Sequence, residues 1–214
     1  MATTSRTDAR DSLDDQLVAH PQPRSRDAAR TRELLLQSAL RLFAVHGYAA
    51  TTVREIAQDA GVNVALISRY FESKEGLFEA CLTDGNQQIG SAVGDVATVD
   101  DLARAIAGRL VGLGPEPLPL LLVLRSSGDA RAERIRLGFL RSLSERIAAL
   151  AGWNSGDNDT TLLRAQLLLS MTVGIAVLRA PVDGPEPLAS VSEDDLIVPL
   201  DDVVHALLSN GVTD

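Results

Sequence analysis

The sequence predicts an all-α protein of about nine helices. Three observations carry this. Hydrophobic residues make up 45% of the chain but aromatic ones only 3%, so the core is built from Leu, Val, Ile and Ala, which suits packed helices better than sheets. Apolar residues recur at spacings of three and four along most of the chain. The breakers between these runs, such as GLGPEP (112–117) and APVDGPEP (180–187), come with no βαβ alternation and no repeat of fixed period.

In order along the chain, residues 1–26 are polar, charged and proline-bearing without periodicity, and are expected to form a disordered tail. From about Ala28 the pattern turns helical, with Leu35, Leu36, Ala39, Leu42 and Phe43 on one face. His46-Gly47 closes that helix, Gly47 suiting a left-handed position after the last turn. Thr51 or Thr52 caps the next helix. Glu55, three residues after Thr52, favours Thr52 as the cap of a capping box. Val53, Ile56 and Ala57 face inward before Gly61 ends the run. Asn63, a good N-cap, opens a third short helix to about Tyr70, burying Leu66 or Ile67 with Tyr70 or Phe71. Ser73 caps a fourth, in which Lys74 opposes the helix dipole and needs compensation from outside the helix. Five further helices are expected at about 99–111, 116–127, 129–151, 159–179 and 192–209.

With 214 residues the chain can hold one large domain, or a small one and a medium one, with ample core. The net charge of −9 is uneven: residues 24–80 hold 8 basic and 7 acidic side chains, whereas residues 81–214 hold 10 and 18. The only part without an acidic excess is therefore the early helical segment. A globally acidic protein can bind nucleic acid if its acidic mass lies away from the contact face. The single cysteine, Cys81, cannot form an internal disulfide. It reads as a small buried hydrophobe, and the expected compartment is the cytoplasm. The N-terminus lacks the apolar core of a signal peptide, and the apolar run Leu167–Leu178 is shorter than a bilayer span, so no membrane role is expected. His20, His46 and His205 have no ligand spacing. No hydrolase, metalloprotease, phosphate-loop or dinucleotide fingerprint occurs. Neither a metal, a cofactor nor catalysis is expected.

Helix, glycine turn, helix over residues 51–71 is the layout of a helix-turn-helix, with small Ala57 four residues before Gly61 and Val62 buried between the helices. The second helix would present Asn63, Val64, Ala65, Ser68 and Arg69 outward near its N-terminal end, the part that enters a major groove. Val64 and Ala65 can meet thymine methyls, Asn63 or Ser68 a base edge, and Arg69 a guanine or a phosphate. Thr51, Thr52, Tyr70 and Lys74 can supply donors to phosphates on either side. The bland alternative is a helical hairpin within an ordinary bundle. The run RSRDAARTR (24–32) is either an arm reaching DNA or a solvated helix start.

The stretch LFAVHGYAATTVREIAQDAGVNVALISRYFESKEGLF resembles the tetracycline-repressor (TetR) family of transcriptional regulators from about Arg30 to Phe78. The glycine-aromatic pair, TT, IA, AGV and an aromatic pair before SKE carry the resemblance. It departs from the family at Ser68, where members usually have a tyrosine that contacts DNA, which leaves more to Arg69. The resemblance implies an N-terminal three-helix DNA-binding domain (27–75), followed by a helical ligand-binding and dimerisation domain (76–214). It also implies a homodimer on a pseudo-palindromic DNA site, a repressor released by a small apolar molecule. The alternatives are a ligand-independent DNA-binding regulator, or an all-α enzyme or adaptor with an incidental helix hairpin. For the small apolar ligand the candidate residues are Leu121, Leu122, Arg125, Phe139 and Met171, although the leucine-rich run at 117–127 with Phe139 and Trp153 could equally just fill core. Arg125 would meet an acidic ligand group or pair with Asp129 or Glu133. The helix at 159–179, apolar nearly all round and carrying Gly174, is either a core helix or, with the last helix, the dimer face.

Overall fold

The computed structural model describes residues 23–84, 96–113, 118–124, 128–157, 159–180 and 184–209. Among them are nine α-helices and no strand: α1 Pro23–His46, α2 Val53–Asp59, α3 Ala65–Phe71, α4 Lys74–Asp84, α5 Val99–Val111, α6 Leu118–Leu124, α7 Ala130–Leu150, α8 Asp159–Arg179 and α9 Glu193–Leu208. Helix α1 starts at Pro23, inside the stretch expected to be a tail, because proline is tolerated in a first helical turn. The rest of that tail, the chain after α4 (85–95) and Arg125 lie outside the described residues.

The starts and stops follow local chemistry. Thr98 caps α5 through the Asp101 amide, Asp129 caps α7 through the Arg131 and Ala132 amides, and Ser192 caps α9 through the Asp195 amide. Each oxygen satisfies a donor that the first helical turn leaves free. Gly47 and Gly61 take the left-handed backbone (φ +84° and +68°) that ends α1 and α2.

Among the described residues, two apolar cores result. The first joins Leu35, Ala39 and Phe43 of α1, Ile56 of α2, Ile67 and Phe71 of α3 and Leu77, Phe78, Cys81 and Leu82 of α4 to Leu122 and Val123 of α6 and Ala132 of α7. Phe43, Tyr48 and Phe78 stack at its centre with ring centroids 4.9–5.5 Å apart. Cys81 is buried there as expected, its thiol 3.8 Å from the Leu36 carbonyl. The second core is built by α5, α7, α8 and α9, with α5 and α9 most closely packed.

Helix α8, taken whole, is long and apolar enough to cross a membrane by length and composition, unlike the shorter run considered from sequence. It packs against α5, α6, α7 and α9 and buries Leu162, Ala165, Leu168 and Ala176, as a core helix does. Its other face leaves Leu163, Leu167, Val177 and Leu178 at 40–55% exposure, with open space beside Gly174.

Candidate nucleic-acid interface

The helix-turn-helix is locked by its own backbone. Thr52 Oγ1 accepts from the Glu55 amide (3.2 Å), while the Glu55 carboxylate accepts from the Thr52 amide (2.7 Å) and hydroxyl (2.8 Å). This is the expected capping box, and these hydrogen bonds hold the Glu55 carboxyl below its usual range. At the other end of α2 the Gly61 amide donates to Gln58 O and the Val62 amide to Ala57 O. That pair of bonds is a Schellman motif, which needs the positive φ of Gly61 and sets the angle at which α3 leaves. Asn63 is not the N-cap of α3 as expected. Val64 holds that position without a side-chain bond, and Asn63 Oδ1 accepts from the Ala65 amide at 2.8 Å. An Asx turn of this kind stiffens the entry to α3 and leaves the Asn63 amide NH2 outward.

Helix α3 buries Ile67 and Phe71 and leaves Leu66 and Tyr70 half-buried. Asn63, Val64, Ala65, Ser68 and Arg69 are all exposed, as the spacing predicts. No carboxylate lies on α3 itself. The Arg69 guanidinium sits 5.8 Å from the centre of the Tyr70 ring, a cation–π contact weak enough to yield to a nucleic-acid partner. Arg54 on α2 is also exposed. The same periodicity that turns Val53, Ile56 and Ala57 inward turns Arg54 out.

One flanking assignment changes and another gains a structural role. Thr51 is 2% exposed, and its hydroxyl donates to Gly47 O at 2.9 Å, with Leu42 O at 3.2 Å. It fastens the turn after α1, so it cannot serve as a phosphate donor. Lys74 is half-buried, donates to Tyr48 O at 2.6 Å and lies 4.1 Å over the Tyr48 ring. This clamp, with Asp129, Glu75 and Glu55 nearby, compensates the cation at the start of α4. Burial lowers the Lys74 pKa while those carboxylates oppose the shift. Burial, with Glu75 and Asp129, pushes the Tyr48 hydroxyl up to about 12. The ammonium has three donors and spends one on Tyr48.

Behind this head, α6 packs on α1 and α4, and α7 packs on α4. Gly128, just before α7, is close enough to Ala49 that a Cβ there would lie 3.6 Å from the Ala49 side chain. Arg131 reaches Glu75 at 3.6 Å. Between α6, α7 and α8 runs an open groove of about 550 Å³, lined by Val123, Leu124, Leu140 and Val173 and walled at one end by Arg136. Arg136 donates to Val123 O (2.8 Å) and pairs with Glu133, which raises its pKa further. None of the described ligand candidates lines this groove. Leu121 points outward, Leu122 and Phe139 pack in the first core, and Met171 packs against the second.

Residues 35–81 match the family model described as bacterial regulatory proteins, tetR family, and residues 100–208 match the tetracyclin repressor-like C-terminal domain. Over 54 residues, 25% of this chain and 26% of the relative, it is 46% identical to the probable HTH-type transcriptional regulator YttP of Bacillus subtilis. Over 64 residues, 30% of this chain and 31% of the relative, it is 44% identical to the HTH-type transcriptional repressor KstR2 of Mycolicibacterium smegmatis. The chain thus matches only about a quarter to a third of the length of these relatives. A crystal structure of a TetR-family regulator from Streptomyces coelicolor superposes with a TM-score of 0.59 at 26% identity, covering 85% of this chain and 96% of that one. Salmonella enterica GusR shares the fold at a TM-score of 0.61 and 19% identity, over 84% of this chain and 95% of that one. With both halves of the chain matched and the helix-turn-helix in place, this protein belongs to the TetR family of DNA-binding transcriptional regulators.

Proposed function

We propose that the protein is a dimeric, cytoplasmic, sequence-specific regulator, a repressor released from a pseudo-palindromic DNA site by a small molecule held in the C-terminal helices. The observation that carries the DNA-reading part is the outer face of α3: Asn63, Val64, Ala65, Ser68 and Arg69 exposed together, one cation and no carboxylate among them. Such a face suits a major groove, since thymine methyls meet apolar side chains and the guanine edge accepts two hydrogen bonds from an arginine. Lys74, with two ammonium donors left, and the exposed Thr52, whose hydroxyl would have to leave Glu55 to reach a phosphate, flank it, and Tyr70 offers its hydroxyl from a half-buried ring.

The exposed stripe of α8, with Val198 of α9 at 66% exposure, supports pairing with a second copy. A pair of recognition helices then meets two half-sites a helical turn of DNA or more apart. The groove between α6, α7 and α8 supports an effector site, because α6 touches both the groove and the DNA-binding head.

The test is affinity on DNA from upstream of the protein's own gene, with a set of single-base operator variants. Arg69 has the longest polar reach on the face. If it reads a guanine, Arg69→Ala costs about 1–3 kcal/mol per half-site and relaxes preference at one base pair. A uniform loss across all variants would assign Arg69 to a phosphate and move specificity to Asn63, Ser68 and the methyl contacts.

A further inference from the structure

We propose that the groove between α6, α7 and α8 binds an amphipathic carboxylate, with its acidic group on Arg141 and Gln166 and its hydrocarbon chain along Leu137, Leu140, Leu169 and Val173. The inference rests on the effector reading of the C-terminal helices given above and names the class of molecule that would fill the site.

The first support is charge. In a chain of net charge −9, the described residues lining this groove include two arginines and no carboxylate. The arginines differ in freedom. Arg136 is 15% exposed and fixed by three bonds, two to Glu133 and one to Val123 O. Its charge is balanced, and it forms the end wall. Arg141 is 67% exposed and uses only Nε, on Glu145 Oε1 at 2.8 Å, one helical turn along. Asp159, which borders the adjoining pocket with Arg141 and Gln166, also acts on this guanidinium. An exposed pair at the Glu145 spacing is weak, so the guanidinium can turn its remaining N–H groups to a ligand with little loss.

The second support is the hydrogen-bonding inventory. Ser144 and Ser170 also line the groove, but their hydroxyls donate to the Leu140 and Gln166 carbonyls. Among the described residues, the available donors at the polar end are therefore the Arg141 guanidinium and the Gln166 amide. A donor set of this kind matches an acceptor-only group, which an ionised carboxylate is.

Shape supplies the third support. From Gln166 to Val173 along α8 is about 10 Å at the helical rise per residue, the length of a medium-chain acyl group. That span is bordered by Leu169 and Val173 on one side and by Leu137 and Leu140 on the other. The far end of such a chain reaches Val123, whose carbonyl Arg136 holds and whose helix packs on α1. Occupancy there bears directly on the DNA-binding head.

The experiment is calorimetric titration of the full chain with sodium decanoate, decyltrimethylammonium and decanol. In parallel, DNA affinity is measured without ligand and with decanoate. Decanoate binds once per chain and more tightly than decanol, and decyltrimethylammonium does not compete with it. Arg141→Gln weakens decanoate by about tenfold, as loss of a charged hydrogen-bond partner does. Leu137→Glu, a change at a residue 51% exposed, weakens it at least as much without unfolding the chain. Absence of decanoate binding, equal binding of the cation, or indifference to both substitutions would overturn the proposal. DNA binding retained in a chain that ignores decanoate refutes the carboxylate site alone. Decanoate binding by a chain that ignores DNA refutes the regulatory reading and leaves the site standing.

Discussion

Replacing Thr51 by valine keeps the shape of the side chain and removes one hydroxyl. In the wild type that hydroxyl is buried and donates to Gly47 O, the carbonyl of the left-handed residue that ends α1. Valine leaves that carbonyl without its hydroxyl partner. The lost bond is worth about 0.5–1.5 kcal/mol and an unsatisfied buried acceptor about 1–3 kcal/mol. Gly47 sits at the edge of the core, so water can recover part of the larger figure, and a loss of about 1–2 kcal/mol is expected. Thr51→Ser keeps the bond and gives up one methyl, about 0.8 kcal/mol if that methyl is fully buried. Urea unfolding followed by circular dichroism measures both. DNA affinity at a fixed salt concentration, taken where each variant is fully folded, supplies the decisive comparison. The structural role predicts an unchanged affinity for valine, because no phosphate contact is lost. Unchanged stability together with weaker binding to all DNA sequences alike would restore Thr51 as a phosphate ligand and refute the reasoning.

Lys74→Met removes both the bond to Tyr48 O and a cation beside the proposed phosphate path, so it should lower the melting temperature. It should also reduce the salt slope by about 1 per subunit. A stability loss with an unchanged slope makes Lys74 a clamp and nothing more. Leu167→Glu, on the exposed stripe of α8, should give a folded monomer by light scattering with much weakened operator binding. A persistent dimer would rule out that stripe as the interface. His205 is held by the Asp201 carbonyl and the Asp100 carboxylate, which raise its pKa above the usual histidine value. A raised folded-state pKa contributes stability that is complete below the unfolded value near 6.5 and is lost as pH climbs through the folded value. The stability gap between wild type and His205→Gln should therefore be larger at pH 6 than at pH 8. A gap independent of pH would remove the imidazolium from the account.

Much of this architecture is legible in the chain because its helices are amphipathic and its breakers are chemically explicit. The end of α8 precedes APVDGPEP, and the start of α9 carries a serine with aspartate three residues on, so both ends could be placed closely. Thr52 was recognisable as the cap because Glu55 stands in register with it. Its neighbour Thr51 was not separable from it, since two adjacent hydroxyls before a helix look alike until the entry angle of the chain turns one inward. Asn63 shows the same limit in another form. An Asx turn and an N-cap use the same oxygen, and they differ by one residue in where the helix begins. The lining of the groove is illegible for a different reason. Helix α6 reads LPLLLVL, apolar at every position, so it has no phase from which to tell a core-facing leucine from a groove-facing one. Nothing in that run separates Leu121 and Leu122 from the next two residues, Val123 and Leu124, which line the groove. The clamp of Lys74 on Tyr48 spans 26 residues, and only the fold brings those two together.

Leu122, Val123 and Ala132 lie in the same apolar cluster as Ile56, Ile67 and Phe71. The reading head therefore does not close its interior alone, because part of what fills it belongs to the body behind. A chimera joined at residue 75, with this head on another member's body, would meet a surface cut to a different α6 and would lose packing on both sides of the seam. A graft intended to move DNA specificity between relatives must either carry the inner faces of α6 and the first turn of α7 with it, or leave the scaffold alone and exchange only the five outward residues of α3. Evolution faces the same choice, which makes the outward face the cheap place to change an operator and the seam an expensive one.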